Sequence, residues 1–141
     1  MKKYILYTDG GARGNPGNAG VGIVITDEVG QMIHEASKAL GEATNNEAEY
    51  HGVIFGLEQI KEVVGMEELK LAQVELRMDS QLVARQITKK YKIKEPRMKD
   101  LWLVVQDLLG KYIPNFSVVE IPREENKEAD RLANEAMDTN S

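Results

Sequence analysis

Four acidic residues have the type and the spacing to do chemistry together, because each lies where a predicted element ends or begins. Asp9 and Asp79 end predicted strands, and Glu49 and Asp130 lie in the first turns of predicted helices. Carboxylates without cysteine or histidine partners select hard cations such as Mg²⁺ or Mn²⁺ over zinc. Taken singly, each acid is explained by a turn, a cap or the helix dipole. Their shared location predicts a divalent-cation site, in which some carboxyl pKa values would rise if no cation were bound.

The elements that must position these acids follow from hydrophobic periodicity and turn residues, in the order βββαβααβα. Strands are predicted over residues 4–9, 19–26, 31–39, 74–79 and 116–121. Helices are predicted over residues 47–64, 81–87 and 96–109 and around 129–136. The glycine-rich residues 10–17 predict a turn after the first strand.

The connections between these elements predict an α/β fold with a mixed five-stranded sheet and helices on both faces. Short links make the first three strands an antiparallel meander, whereas helical links make the fourth and fifth strands parallel, with right-handed crossovers. If the fourth strand lies beside the first, Asp9 and Asp79 reach the carboxyl edge of the sheet, where ligands bind in such folds. Gly52 and Gly56 each cost their helix roughly 1 kcal/mol relative to alanine. Close packing of that helix on the sheet would compensate.

Two glutamates compete for the acidic position at the start of the first predicted helix. Glu49 shares a helical stripe with Val53, Gly56 and Ile60, which predicts that it points inward rather than to water. Glu47 lies closer to the predicted cap and suits the helix dipole.

Composition restricts the classes of protein to consider. The chain has 141 residues, of which 42% are hydrophobic, so one globular domain over residues 1–141 is expected. The absence of cysteine excludes disulfides, a thiol nucleophile and a zinc–cysteine site. No apolar run is long enough to span a membrane, and a cytoplasmic monomer is expected.

The net charge of −5 argues against a protein that simply coats nucleic acid. Residues 85–99 nevertheless hold seven basic residues against one acidic residue. This basic segment predicts contact with a polyanion, although a solvated helix end and loop would have the same composition.

Five motifs in this order resemble type 1 ribonuclease H over nearly the whole chain. They are YTDGG at residues 7–11, GNPG at 14–17, TNNEAE at 44–49, DSQ at 79–81 and NKEADRLA at 126–133. The resemblance is to a compact form, without the long basic protrusion and the separate hybrid-binding domain of some relatives. It implies the ribonuclease H-like fold, whose sheet agrees with the one predicted above.

The resemblance implies an endonuclease that hydrolyses the RNA strand of RNA–DNA hybrids with two Mg²⁺ ions, leaving 5′-phosphate and 3′-hydroxyl ends. Mn²⁺ would be a substitute metal. The catalytic, metal-binding acids map by motif to Asp9, Glu49, Asp79 and Asp130, and the motif spacing selects Glu49 over Glu47. Contacts to substrate map to Gly10, Gly11, Ala12, Asn15, Thr44, Asn45, Asn46 and Gln81. The four amide side chains would read the 2′-hydroxyl, the group that distinguishes RNA from DNA, and Thr44 would touch a DNA phosphate.

Two departures from the family pattern concern the substrate. Many relatives carry a histidine where this chain has Glu120, and Arg123 is the expected substitute contact to phosphate. Neither His34 nor His51 is expected to be catalytic. The shorter basic segment predicts weaker, salt-sensitive substrate binding, and Trp102 is expected in the core.

Two alternatives remain open from the sequence. The first is a related nuclease that also cuts double-stranded RNA. The second is a non-catalytic nucleic-acid-binding module that has kept the shape, which the presence of all four acids argues against.

Overall fold

The computed structural model describes residues 1–139, which form five strands and five α-helices in the order βββααβααβα. The strands are β1 (Lys3–Gly14), β2 (Gly17–Asp27), β3 (Met32–Ala43), β4 (Gln73–Met78) and β5 (Phe116–Glu120). The helices are α1 (Asn45–Val64), α2 (Met66–Leu71), α3 (Gln81–Ile87), α4 (Pro96–Tyr112) and α5 (Lys127–Thr139). A 3₁₀ turn, Arg123–Glu125, precedes α5. The domain expected over residues 1–141 includes Asn140 and Ser141, which lie outside the described residues.

The predicted mixed sheet is confirmed, with strand order β3-β2-β1-β4-β5. β1 pairs antiparallel with β2, and β2 with β3, whereas β1 with β4 and β4 with β5 are parallel. Helix α1 lies over Leu6 and Thr8 of β1, and α5 packs on Gly20 and Gly22 of β2. Gly22 pairs with Asp9, which follows Thr8 in β1, and successive residues of a strand face opposite sides of the sheet. The two helices therefore cover opposite faces of the sheet.

The main core lies between the sheet and helices α1, α3 and α4. Its fully buried side chains include Leu6, Ile23, Ile25, Tyr50, Leu57, Ile60, Leu76, Met78, Val105 and Ile113. Within residues 1–139 no helix has both the length and the apolar character that crossing a membrane requires.

A capping box starts α1 and so fixes where its first turn lies. The Thr44 hydroxyl accepts a hydrogen bond from Glu47 N at 3.1 Å, and Glu47 Oε1 accepts one from Thr44 N at 2.9 Å. This pair satisfies backbone groups that a helix end would otherwise leave unpaired. The Glu47 carboxylate is therefore engaged in capping α1.

The prediction that the first strand ends at Asp9 is wrong. β1 continues to Gly14 because its antiparallel pairing with β2 runs without a break from Asp9 opposite Gly22 to Gly14 opposite Gly17. The turn predicted over residues 10–17 shrinks to Asn15 and Pro16, which are joined by a cis peptide bond. β3 likewise extends beyond the predicted residue 39, and the short helix α2 was not predicted.

Candidate active site

Asp9, Glu49 and Asp79 converge at one edge of the sheet, where one carboxylate oxygen from each lies within 4.8 Å of the others. The parallel pairing of β1 with β4 extends to Tyr7 opposite Arg77. Asp9 and Asp79 lie two residues beyond that pair on neighbouring chains, which brings them to the same edge and face. Glu49 reaches them from α1, where it is the fifth residue and not in the first turn as predicted, because the helix begins at Asn45 rather than Glu47.

Asp130 does not belong to this group of three, but it lines the cleft that contains Asp9 and Glu49. The cleft has a volume of about 520 Å³, and Asp9, Glu49, Arg123 and Asn45 also line it. Asp130 lies in the first turn of α5, on the face of the sheet to which Asp9 belongs. All four acids of the sequence pattern are therefore at this edge.

Glycines allow both helices to come close enough to bring their acids to Asp9. A Cβ on Gly52 of α1 would lie 2.8 Å from the Asp9 carbonyl oxygen, and a Cβ on Gly10 would collide with the Ala48 carbonyl. On the other face, a Cβ on Gly22 would collide with the Ala129 carbonyl of α5. The close packing of α1 on the sheet that Gly52 predicts is thus confirmed. Gly22 allows α5 to pack equally closely on the other face.

Burial and mutual repulsion perturb the acids of this cluster. Burial, followed by the charges of Asp79 and Asp130, raises the pKa of Asp9 to about 7. Burial and the charges of Asp9 and Asp79 raise the pKa of Glu49 well above its usual range. Such shifts are typical of like charges held together in a poorly solvated site.

Asn126 was missed as a functional residue by the sequence reasoning. Its side chain is only 1% exposed, and Nδ2 donates to Asp79 Oδ2 at 3.0 Å and to the Thr8 carbonyl at 2.9 Å. In the sequence it stands before a predicted helix, where an asparagine indicates a cap. It also begins the motif at residues 126–133, but its proximity to Asp79 depends on long-range packing that the motif does not reveal.

Comparison with known proteins identifies the relationship. The chain matches a family model described as reverse transcriptase-like over residues 7–136. It is 33% identical to a ribonuclease H of Hydrogenovibrio crunogenus, and the match covers 98% of this chain and 97% of that protein. The chain belongs to the ribonuclease H family.

A ribonuclease H1 isolated from compost by a metagenomic approach has a solved structure similar to this member of the family. The TM-score is 0.93 and the identity 50%, with 99% of this chain and 98% of that chain covered. The same compost protein has been solved in complex with an RNA/DNA hybrid, with a TM-score of 0.89 and 48% identity over 96% of this chain and 97% of that one.

Sequences similar to this chain also form part of longer proteins. A bifunctional protein of Mycobacterium tuberculosis is 39% identical over 96% of this chain, but the chain spans only 36% of its length. The ribonuclease H region is therefore one part of that protein.

The donor set of the acidic cluster fits a hard divalent cation. The ligand atoms available are carboxylate oxygens, which suit Mg²⁺ and Mn²⁺. Asp9 is only 6% exposed, and burial and the neighbouring acids raise its pKa. A bound cation would therefore offset negative charge that water solvates poorly.

The residues that the resemblance assigns to substrate surround this cluster. Asn45 Oδ1 accepts from Ala12 N at 2.9 Å, and Asn15 Oδ1 accepts from Asn45 N at 3.0 Å. These contacts use one of the two lone pairs of each amide oxygen and orient the side chains, so that Asn15 and Asn45 can donate from their NH₂ groups to a substrate. Gly10, Gly11 and Ala12 line the cleft with the acids, whereas Asn46 and Gln81 are exposed near the starts of α1 and α3.

Glu120, at the position where the resemblance implies a histidine in many relatives, forms an ion pair away from the acids. Glu120 ends β5, and its Oε2 accepts a hydrogen bond from Arg85 Nε at 3.1 Å. Arg123 instead lines the cleft beside the acids. Neither histidine joins them, since His34 Nε2 lies 2.7 Å from Gln59 Oε1 and His51 does not line the cleft.

A second cavity, of about 390 Å³, lies beside the basic segment. Trp102 is half-buried there rather than fully in the core, and its Nε1 donates to the Gln86 carbonyl at 2.9 Å. The cavity is lined by Gln86, Lys89, Tyr91, Lys92, Ile93, Lys99 and Trp102. Cations over an aromatic floor can accept a nucleic-acid backbone and its bases.

Proposed function

We propose that this protein is an endonuclease that hydrolyses the RNA strand of RNA–DNA hybrids. The observation that supports this most is the convergence of Asp9, Glu49 and Asp79, with Asp130 in the same cleft. Membership of the ribonuclease H family adds the substrate class, because the similar compost ribonuclease H1 has been solved with an RNA/DNA hybrid.

The four acids would hold two divalent cations, with Mg²⁺ as the proposed metal and Mn²⁺ as a substitute. When bound, such cations polarise the scissile phosphate and lower the pKa of the attacking water. Asp9 is buried, its carboxylate lies within 4.8 Å of those of Glu49 and Asp79, and it lines the cleft together with Asp130, so it is the proposed shared ligand. The carboxylates offset the charge of the cations while the phosphodiester supplies oxygens of its own. The proposed products carry 5′-phosphate and 3′-hydroxyl ends.

Substrate selection is proposed to rest on hydrogen-bond donors beside the acids. Asn15 and Asn45 present NH₂ groups, and a ribose 2′-oxygen is an acceptor that DNA lacks. Asn46 and Gln81 would add amide contacts, as would the backbone of residues 10–12. Thr44 would contact a DNA phosphate, and Arg123 a phosphate near the acids.

A substrate panel tests this proposal. The protein is incubated with end-labelled RNA–DNA hybrid, double-stranded RNA and double-stranded DNA, each in Mg²⁺, in Mn²⁺ and in EDTA. We expect metal-dependent cleavage of the RNA strand of the hybrid alone, with 5′-phosphate products. Comparable cleavage of double-stranded RNA would contradict hybrid specificity, and binding of the hybrid without cleavage would favour a non-catalytic module. A single domain, a monomer and a cytoplasmic location stay predictions.

A further inference from the structure

We propose that Asn126 is a positioning residue that fixes three of the four acids at once and thereby sets the affinity of the site for metal. This inference rests on the proposed function. Asn126 lies between the 3₁₀ turn Arg123–Glu125 and α5, and its side chain is 1% exposed. It supplies a neutral hydrogen-bond donor to the Asp9–Glu49–Asp79 group from an element that carries none of those three acids.

The two side-chain contacts of Asn126 join neighbouring parallel strands. Nδ2 carries two protons and has two acceptors, the Asp79 carboxylate at 3.0 Å and the Thr8 carbonyl at 2.9 Å. The Thr8 carbonyl belongs to the planar peptide group that also contains Asp9 N and Cα. Asn126 therefore holds the carboxylate of one acid and the backbone of another with a single amide.

The main chain of Asn126 reaches the third acid. Its carbonyl accepts a hydrogen bond from Asp130 N at 3.0 Å, which is part of the first turn of α5. The residue that holds Asp79 against β1 is thus also the residue from which the Asp130 helix starts. A displacement of Asn126 would change the relative positions of Asp9, Asp79 and Asp130 together.

The chemistry of an amide suits this position better than that of a cation. A lysine or arginine in contact with Asp79 would neutralise the charge that a divalent ion needs, whereas a neutral amide donates without competing for that charge. Asn126 Oδ1 is buried and has no hydrogen-bond partner among residues 1–139. Within the described residues, therefore, only the Nδ2 group of this side chain makes hydrogen bonds.

The test compares Asn126→Ala and Asn126→Ser with the control Tyr50→Phe. The control also removes a buried hydrogen bond, from the Tyr50 hydroxyl to Gln86 Oε1 at 2.6 Å, but one that touches no acid. Serine retains a hydroxyl donor and is well tolerated where a helix starts, so that variant is expected to fold even if the alanine variant does not.

Three quantities are measured for each protein: melting temperature without metal, Mn²⁺ affinity by calorimetry, and kcat and KM on the hybrid over a Mg²⁺ titration. We expect both Asn126 variants to bind Mn²⁺ about 10- to 100-fold more weakly, the range typical when a residue that orients a metal ligand is removed. Their KM for the hybrid should stay within about twofold, because Asn126 is only 1% exposed and so offers almost no surface to a substrate. Tyr50→Phe should lower the melting temperature and leave Mn²⁺ affinity unchanged.

Wild-type metal affinity in either folded Asn126 variant would overturn the inference, as would failure of both variants to fold, because the residue would then serve the fold alone. The proposed function fails separately: wild-type protein that binds Mn²⁺ but does not cut the hybrid would contradict the activity. The calorimetric comparison of the Asn126 variants would still decide the positioning role.

Discussion

The acidic edge of the sheet and the basic segment at residues 85–99 are both concentrations of like charge, but they are built in opposite ways. Asp9 is buried, Glu49 and Asp79 are partly buried, and one carboxylate oxygen from each lies within 4.8 Å of the others, although they come from three separate segments of the chain. Lys89, Lys90 and Lys92 follow one another in a single exposed loop after α3. The first arrangement costs the fold electrostatic free energy, whereas the second costs little.

The two sites differ in how precisely their charged groups must be positioned. Ligands to a metal must be positioned to a few tenths of an ångström, so the acidic edge should respond to single atoms. Charges that attract a polyanion act over a screening length of about 10 Å at 0.1 M salt, so the basic segment should respond to the number of charges. Each prediction below tests one side of this contrast.

The largest effect is expected for Asp79→Asn, which replaces one carboxylate oxygen of the cluster by an amide. We expect kcat on the hybrid to fall by at least about a hundredfold, since removing a direct ligand should cost more than removing a residue that orients one. Hybrid binding, measured by filter retention in EDTA, should stay within about twofold. Asp107→Asn is the matched control, because Asp107 is an exposed acid paired with Lys111. Cleavage at an undiminished rate by the Asp79 variant would show that the reaction occurs elsewhere.

Gly22→Ala tests whether backbone proximity, and not only acid identity, makes the site. The added methyl collides with the Ala129 carbonyl, so α5 must move and take Asp130 with it. We expect kcat to fall about tenfold, with a lowered melting temperature. Gly110→Ala is the control, because a Cβ on Gly110 meets nothing within 4 Å. That change should stabilise α4 by roughly 0.5–1 kcal/mol and leave kcat unchanged. Equal kcat in both variants would contradict the role of the glycine.

The sheet could be predicted from the sequence because its determinants are local. Strand periodicity, short links and helical crossovers are local features, and together they predict the mixed sheet with its antiparallel first three strands and its parallel fourth and fifth strands. The end of β1 could not be predicted, since Asp9-Gly10-Gly11 has the composition of a turn. Pairing with β2, which no local pattern encodes, keeps those residues extended to Gly14.

The sequence predicted the acids of the candidate site but not the hydrogen bonds that hold them in place. The motif spacing of the resemblance selected Glu49 over Glu47, periodicity agreed with that choice, and the capping box explains why Glu47 is engaged. The contact between Asn126 and Asp79 joins residues 47 positions apart, so no spacing rule could reveal it. Local patterns thus identified the groups that carry charge but missed the neutral group that orients one of them.

The basic segment should respond to charge number. Replacing Lys89, Lys90 and Lys92 together by alanine should raise KM about tenfold at moderate salt and reduce the salt slope by about 1 for each phosphate that is no longer neutralised. The value of kcat should stay within about twofold, because the acids are untouched. A matched triple variant replaces the surface lysines Lys2, Lys70 and Lys111, which pair with nearby acids. An unchanged salt slope in the first variant would mean that its lysines are merely solvated.

The smallest effect concerns stability rather than cleavage, and it measures the electrostatic cost of the acidic edge directly. The pKa of Asp9 is raised from 3.8 to about 7, and that of Glu49 is raised as well. Between about pH 4 and 7 the folded protein therefore binds more protons than the unfolded chain, so stability should fall as pH rises through this window. In EDTA, Asp9→Asn should flatten this decline and be more stable than wild type at pH 7.5, with a smaller difference at pH 5. Added Mg²⁺ should flatten the wild-type profile too, because the cation replaces the proton. Thermal melts across this range check the slope, and parallel profiles for wild type and variant in EDTA would mean that the acids do not repel one another as their proximity requires.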